Sequence, residues 1–416
     1  MDIYTRVMEQ RAFDAATDYY PREIIVEAVN SFHKFSDSLD IFIGNHGYTG
    51  NIDDIIGKSA FLRESFEKSG ISVPRGIREW YTKGKGISRT TAFQICFAFH
   101  LNKEETDDFF RRVMLAKSFD CHVMEEAVYY YCICNGKDYA EAKRLLQASP
   151  RDQIPDIKKS RIVFEGDILF TSSIMKEINQ FKNGEELLAY FRKNVERFGY
   201  NHVGATKEIQ KLWGKIRSKE KGFADQEKIR IQGGTIKTGK DGERSGSEIL
   251  NQIMGLDEVE KDANKPLFVM ESDRSIKPLL KNNPLLPEIA EKHFPNRQTL
   301  EKILQGMHVD PESIRKTMIL TYFYYFWIEK ALSKTVNLAA YQAAPGDSER
   351  FTDNINRRLL EVGYPELYPG NPYDWIFVYC SMSDEPLTVF REFIHEMYLE
   401  NEPEIIKMNE QKKSKS

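Results

Sequence analysis

GISVPRGIREWYTKGKGISRTTAFQICFAFHLNKEE, spanning Gly70–Glu105, reads as a short helix, a basic corner punctuated by glycine, and a longer amphipathic helix. Ile77 and Trp80 sit three apart, so the first helix turns one apolar stripe inward and leaves Arg75, Arg78 and Lys83 outside. Pro74 and Gly76 shorten that helix from its N-terminal side, because neither favours a helix interior. Two helices meeting at a cationic corner set the expectation for the whole chain, a mainly α, multidomain helical protein.

The chain has 416 residues, 41% of them hydrophobic, which is enough to build substantial cores and excludes a disordered tail. Its 59 Lys and Arg against 63 Asp and Glu leave a formal charge of −4, so no global basic field attracts a polyanion. Any such contact must be local. Residues 61–90 offer one site, with seven cations (Arg63, Lys68, Arg75, Arg78, Lys83, Lys85, Arg89) against Glu64, Glu67 and Glu79, a local charge of +4. MDIYTRVMEQ lacks the basic start and apolar run of a secretory signal. The longest apolar stretch, Met318–Ile328, is interrupted by Thr321 and falls short of the roughly 20 residues that cross a bilayer. Five cysteines without an export signal fit a reducing compartment, so the expectation is a cytoplasmic protein with no membrane partner.

Periodicity and caps divide the chain into five stretches. Residues 1–50 hold an N-terminal helical segment, in which Ile24, Ile25, Ala28, Val29 and Phe32 form a stripe of helical period. Residues 51–150 carry the corner and a further helix pair, with Gly136 as C′ cap of the first and Asp138 as N-cap of the second. Residues 151–216 form a middle helical region opened by the extended piece RIVFEGDILF. Residues 217–265, glycine-rich and charged, read as a basic flexible segment, with 11 Lys and Arg against 6 Asp and Glu between Ala205 and Arg244. Residues 266–416 recover helical period; Gly306 separates two helices, and Asp310 with Pro311 makes an N-cap and N1 pair.

Two stretches share a plan. Ile77 and Trp80 correspond to Leu300 and Ile303, Gly84 to Gly306, Ser88 to Asp310 and Ala92 to Ile314. This is either a duplicated unit, with a second copy near 287–325, or two helix hairpins that use the same capping chemistry.

Residues 60–105 resemble the Cro/C1-type helix-turn-helix family, also called XRE. The matching residues are the Gly70-Ile71-Ser72 turn, Ile77 and Trp80 on the third helix, the Gly84-Lys85 corner, Ser88 opening the fourth helix, and Ala92, Ile95 and Leu101 in its core. The resemblance implies a compact five-helix domain whose third helix enters the major groove of double-stranded DNA. Carried onto this chain, it places Arg75, Arg78 and Glu79 at base edges and Lys83, Lys85, Ser88 and Arg89 on the phosphate backbone. In the second unit the corresponding candidates are Arg297, Gln298, Lys302 and His308.

Other motifs carry less. Cys121, His122, Cys132 and Cys134 are zinc-type ligands, but C-x-C on a helix sends its two thiols to diverging faces, which favours packed thiols and no metal. GTIKTGKD from Gly234 nearly spells a phosphate-binding loop, with Asp241 standing where the magnesium-binding hydroxyl belongs. Arg197 and His202 have the R-x4-H spacing that resembles HEPN ribonucleases. The aromatic run Tyr322–Trp327 reads as core, since no cations are interleaved for base stacking. No catalytic constellation and no cofactor motif stands out. The leading expectation is a sequence-specific DNA-binding regulator, linked through its resemblance to mobile elements or phage, and a homodimer where the target is palindromic. The alternatives are a non-catalytic adaptor with a protein partner and an RNA-directed defence effector.

Overall fold

A computed structural model describes residues 5–10, 12, 32–83, 86–154, 171–199, 203–218, 222–230, 244–255, 294–295, 297–333 and 342–399. It is mainly α-helical, and no strand occurs among the described residues. Two compact units emerge: His33–Gly204 with Glu361–Pro365, and Met1–Phe32 with Ala205–Leu360 and Glu366–Ser416. This division differs from the five sequence stretches, because the middle helical region is shared between the units.

The first unit runs through α1 (Phe35–Asn45), α2 (Ile55–Lys68), α3 (Ile77–Thr82), α4 (Arg89–Ala98), α5 (Lys103–Phe109), α6 (Met124–Cys134), α7 (Tyr139–Ala148), α8 (Thr171–Ile178) and α9 (Gly184–Lys193). Helix α5 continues into a π-turn, Phe110–Met114, that Leu115 ends in the left-handed region. Leu39, Ile43, Leu62, Phe66, Ile77, Trp80, Phe93 and Ile95 share one buried core, each worth about 1.5–3 kcal/mol in transfer from water. Caps fix the helix ends. Asp138 accepts the Glu141 N–H to open α7, and Gly136, at φ 59°, closes α6. The stripe from Ile24 to Val29 and the RIVFEGDILF piece lie outside the described residues.

The second unit contains α10 (Val203–Arg217), α11 (Phe223–Arg230), α12 (Gly246–Ile253), α13 (Arg297–Leu304), α14 (Pro311–Ser333), α15 (Asp347–Glu361), α16 (Pro372–Ser381) and α17 (Pro386–Leu399). Helix α14 is its axis. The aromatic run Tyr322–Trp327 is buried within it, and Phe323 meets Phe351, Phe377 and Phe390 at centroid distances of 5.5, 5.3 and 5.3 Å. Arg315 forks onto both Asp374 carboxylate oxygens at 2.7 and 2.8 Å, tying α14 to α16 in a pair that water hardly reaches.

The segment read as flexible, 217–265, contributes α11 and α12, and their contacts explain why they fold. Glu227 is fully buried, accepts from the Tyr324 hydroxyl and the Gln252 amide at 2.8 Å each, and pairs with Arg391 at 2.8 Å. Arg244 extends the network to Gln252 at 2.7 Å and Asp225 at 3.1 Å. Polar residues that look solvated in sequence are here the glue between α11, α12, α14 and α17. Burial alone would raise the Glu227 carboxyl, but the Arg391 charge and the hydrogen bonds from Arg391, Gln252 and Tyr324 outweigh it and hold the group below the ordinary glutamate value.

Candidate nucleic-acid interface

The turn that leads to α3 follows from α2's last residues. The Gly70 N–H bonds the Glu67 carbonyl at 3.0 Å and the Ile71 N–H bonds the Phe66 carbonyl at 2.9 Å, with Gly70 at φ 64°. This is a Schellman ending, and it drives Ile71 into the core. Five residues later Gly76, also left-handed at φ 80°, starts α3, which is only six residues long. Its brevity matches the effect expected of Pro74 and Gly76. Ile77 and Trp80 anchor the inner face at 0% and 5% exposure. A further clamp joins α1, α2 and α3: Lys58 bonds Asp40 at 2.7 Å and lies 4.3 Å from the centre of the half-buried Tyr81 ring.

With that face anchored, the cations of the corner separate into three kinds. Arg75 and Arg78 are exposed, and neither side chain has an ion-pair or hydrogen-bond partner among the described residues. Lys83 is exposed but bridges to Glu79 one turn back at 3.1 Å. An exposed pair of this sort is worth about 0–1 kcal/mol, so the ammonium is easily recruited elsewhere. Arg89 belongs to the third kind. Its Nε and Nη2 donate to the two Glu126 carboxylate oxygens at 2.8 and 2.7 Å, and its Nη1 and Nη2 donate to the Lys117 and Ser118 carbonyls at 2.6 and 2.5 Å. The guanidinium also lies 5.1 Å from the Phe110 ring centre. Arg89 is therefore built into the fold, and the phosphate-holding role expected for it does not match its placement.

Ser88 is the N-cap of α4; its hydroxyl oxygen accepts the Thr91 N–H at 3.1 Å. Gly84 and Lys85 lie outside the described residues. Arg75, Arg78, Glu79 and Lys83 thus share one short helix and its entry, whereas Arg89 turns away to Glu126. No local spacing announces Glu126 as the partner, since it stands 37 residues further on.

In the second unit, Gly306 at φ 68° and the bond from the Met307 N–H to the Lys302 carbonyl at 2.8 Å close α13 with the same Schellman geometry. Asp310 accepts the Ser313 N–H at 2.9 Å to open α14, and Leu300 and Ile303 are buried. Gln298, Lys302 and His308 are exposed, while Arg297 bonds Glu301 at 2.7 Å on the helix surface.

The remaining motifs do not converge. Among the described residues no group of three or more His, Cys, Asp or Glu could hold a metal ion. All five cysteines are free, and burial pushes the Cys132 thiol up to about 12. Arg197 ends a 3-10 turn, Val195–Arg197, while His202 and the GTIKTGKD stretch lie outside the described residues. Among the described residues no helix is long and apolar enough to cross a membrane. No family model, no curated protein and no solved structure matches this chain.

Proposed function

We propose that the unit His33–Gly204 binds double-stranded DNA in the manner of the Cro/C1-type helix-turn-helix proteins that residues 60–105 resemble, with α3 as the element presented to the major groove. The observation that carries the reading is the pairing state of two arginines, Arg75 at the entry of α3 and Arg78 on it. Both stand exposed with no side-chain partner among the described residues, and the opposite face of the helix is locked by Ile77 and Trp80. A guanidinium held on a rigid element and not neutralised from within suits bidentate contact with guanine or phosphate. Lys83 adds a cation at the cost of a weak surface pair. The role is sequence-specific regulation, in a mobile-element or phage-related setting, with a dimer on palindromic targets.

The test is the salt dependence of duplex binding. Each phosphate neutralised contributes about 0.9 to the slope of log K against log salt, so Arg75→Ala with Arg78→Ala is expected to lower the slope by up to about 2 and to weaken binding. Absence of duplex binding at low salt removes the proposal. A second reading, a protein-interaction adaptor, draws on Ile41, Ile52 and Ile56, which stay 50%, 43% and 64% exposed along α1, the following loop and α2. It predicts a partner complex indifferent to the two arginines.

A further inference from the structure

The outward face of α10, in the other unit, carries a separate set of cations. Every exposed position of this helix is Lys207, Lys211, Gly214 or Lys215. By helical period, Lys207, Lys211 and Gly214 fall within an arc of about 60°, and successive lysines step about 6 Å along the axis. Its carboxylate is spent elsewhere: Glu208 is half-buried and bonds Arg358 of α15. The inner face, with Ile209, Leu212, Trp213 and Ile216 buried, fixes the stripe's direction. Gln210 donates to the Leu304 carbonyl at 3.0 Å, pinning α10 to the end of α13, and Lys215 reaches the Tyr325 hydroxyl at 3.1 Å. Lys207 and Lys211 have no partner among the described residues.

Gly214 is the second observation. A glycine within a helix costs roughly 1 kcal/mol against alanine, yet a Cβ placed there meets nothing within 4 Å. Packing does not ask for it. What the missing side chain leaves is bare backbone between Lys211 and Lys215, open to close approach by a bulky anion.

We infer that this face is a second phosphate-contacting surface, with the phosphodiester backbone of duplex DNA as its occupant. The stripe exposes no apolar side chain, as a protein hot spot or an inserting membrane helix would. It offers instead cations of one sign about 6 Å apart, which suit a polyanion that carries one charge on every phosphate. The inference takes its ligand from the proposed function but rests on different residues.

Salt-dependent binding of the full chain to a random duplex separates the two. Lys207→Gln with Lys211→Gln is expected to lower the log–log salt slope by up to about 2, independently of Arg75→Ala with Arg78→Ala. Gly214→Gln is expected to raise thermal stability and still weaken binding at least several-fold, an opposition that a purely structural helix position does not produce. If the lysine pair leaves the slope unchanged while the arginine pair lowers it, the inference is wrong and the proposed function stands. If the lysine pair lowers it and the arginine pair does not, the α3 reading fails and this surface remains. Binding of the chain to vesicles of anionic phospholipid, lost in the lysine variant, with no duplex binding, overturns the inference in favour of a membrane surface.

Discussion

Replacing Arg89 by alanine separates a structural arginine from a DNA-binding one. The substitution removes a guanidinium that satisfies Glu126 bidentately and two carbonyl oxygens besides, with side-chain exposures of 34% for Arg89 and 11% for Glu126. Breaking a buried pair by deleting one partner costs about 3–5 kcal/mol, and the partial exposure of Arg89 brings that to about 2–4 kcal/mol. For a unit of this size each kcal/mol moves the midpoint by about 2–4 °C, so one transition of the full chain is expected to fall by roughly 5–15 °C. Thermal and urea unfolding followed by far-UV circular dichroism read it.

The variant also carries a pH signature. Burial already raises the Glu126 carboxyl above its ordinary value, although Arg89 pulls it down. Without Arg89 the carboxyl rises further. A carboxyl whose folded pKa lies above its unfolded pKa binds protons more tightly when folded, so stability increases as pH falls through the folded value and levels off below the unfolded one. Arg89→Ala is therefore expected to regain part of its loss on mild acidification, and Arg89→Met with Glu126→Leu to recover most of it at neutral pH. An Arg89→Ala protein with unchanged stability and weakened duplex binding would falsify the structural assignment and return Arg89 to the phosphate backbone.

Two further outcomes concern the turn and the buried network. Gly70→Ala forces a side chain into the left-handed region at φ 64° and is expected to lower stability by about 1–2 kcal/mol in urea unfolding, with Gly70→Asn losing less; equal stability of Gly70→Ala and wild type would remove the requirement for glycine there. Glu227 has a folded pKa below its ordinary value of 4.5, so its stabilising contribution is complete above that pH and is lost as pH falls through the folded value. Acid unfolding of Glu227→Gln is expected to lack this component, at most about 1.36 kcal/mol per pH unit, and curves of identical slope for the two proteins would contradict it.

How much of this was legible in the sequence depends on the distance over which each signal acts. Asp138, Asp310, Gly136 and Gly306 announce helix ends because a cap bonds a backbone group only a few residues away. The apolar pairs Ile77 with Trp80 and Leu300 with Ile303 are legible for the same reason, since one turn of helix brings them to one face. Helices α11 and α12 were not legible. Their polar faces are buried by Tyr324 and Arg391, supplied from distant helices, and a glutamate awaiting such partners looks like a surface residue. Arg89 fails in the same way: composition counts it with Arg75 and Arg78, and only Glu126 sets it apart.

That difference changes the electrostatic argument for the corner. Its formal surplus of four charges falls to three once Arg89 is matched by Glu126 from outside the stretch, while Lys83 and Lys68 are held by Glu79 and Glu64, which the surplus already counts. Arg63, Arg75 and Arg78 are then left exposed with no side-chain partner among the described residues, and the proposed reading draws on Arg75, at the entry of α3, and Arg78, on it. Two phosphate contacts give a slope of about 1.8, so a fourfold rise in salt weakens binding only about 12-fold, against the 10³–10⁵ typical of proteins making six to ten contacts. A chain with net charge −4 that holds duplex DNA at physiological salt therefore needs more cations than α3 supplies. Two contacts from Lys207 and Lys211 carry about 1.8 of slope in their own right, so each pair of substitutions is read separately against the parent chain, and a pair that leaves the slope unchanged removes its own surface from the scheme.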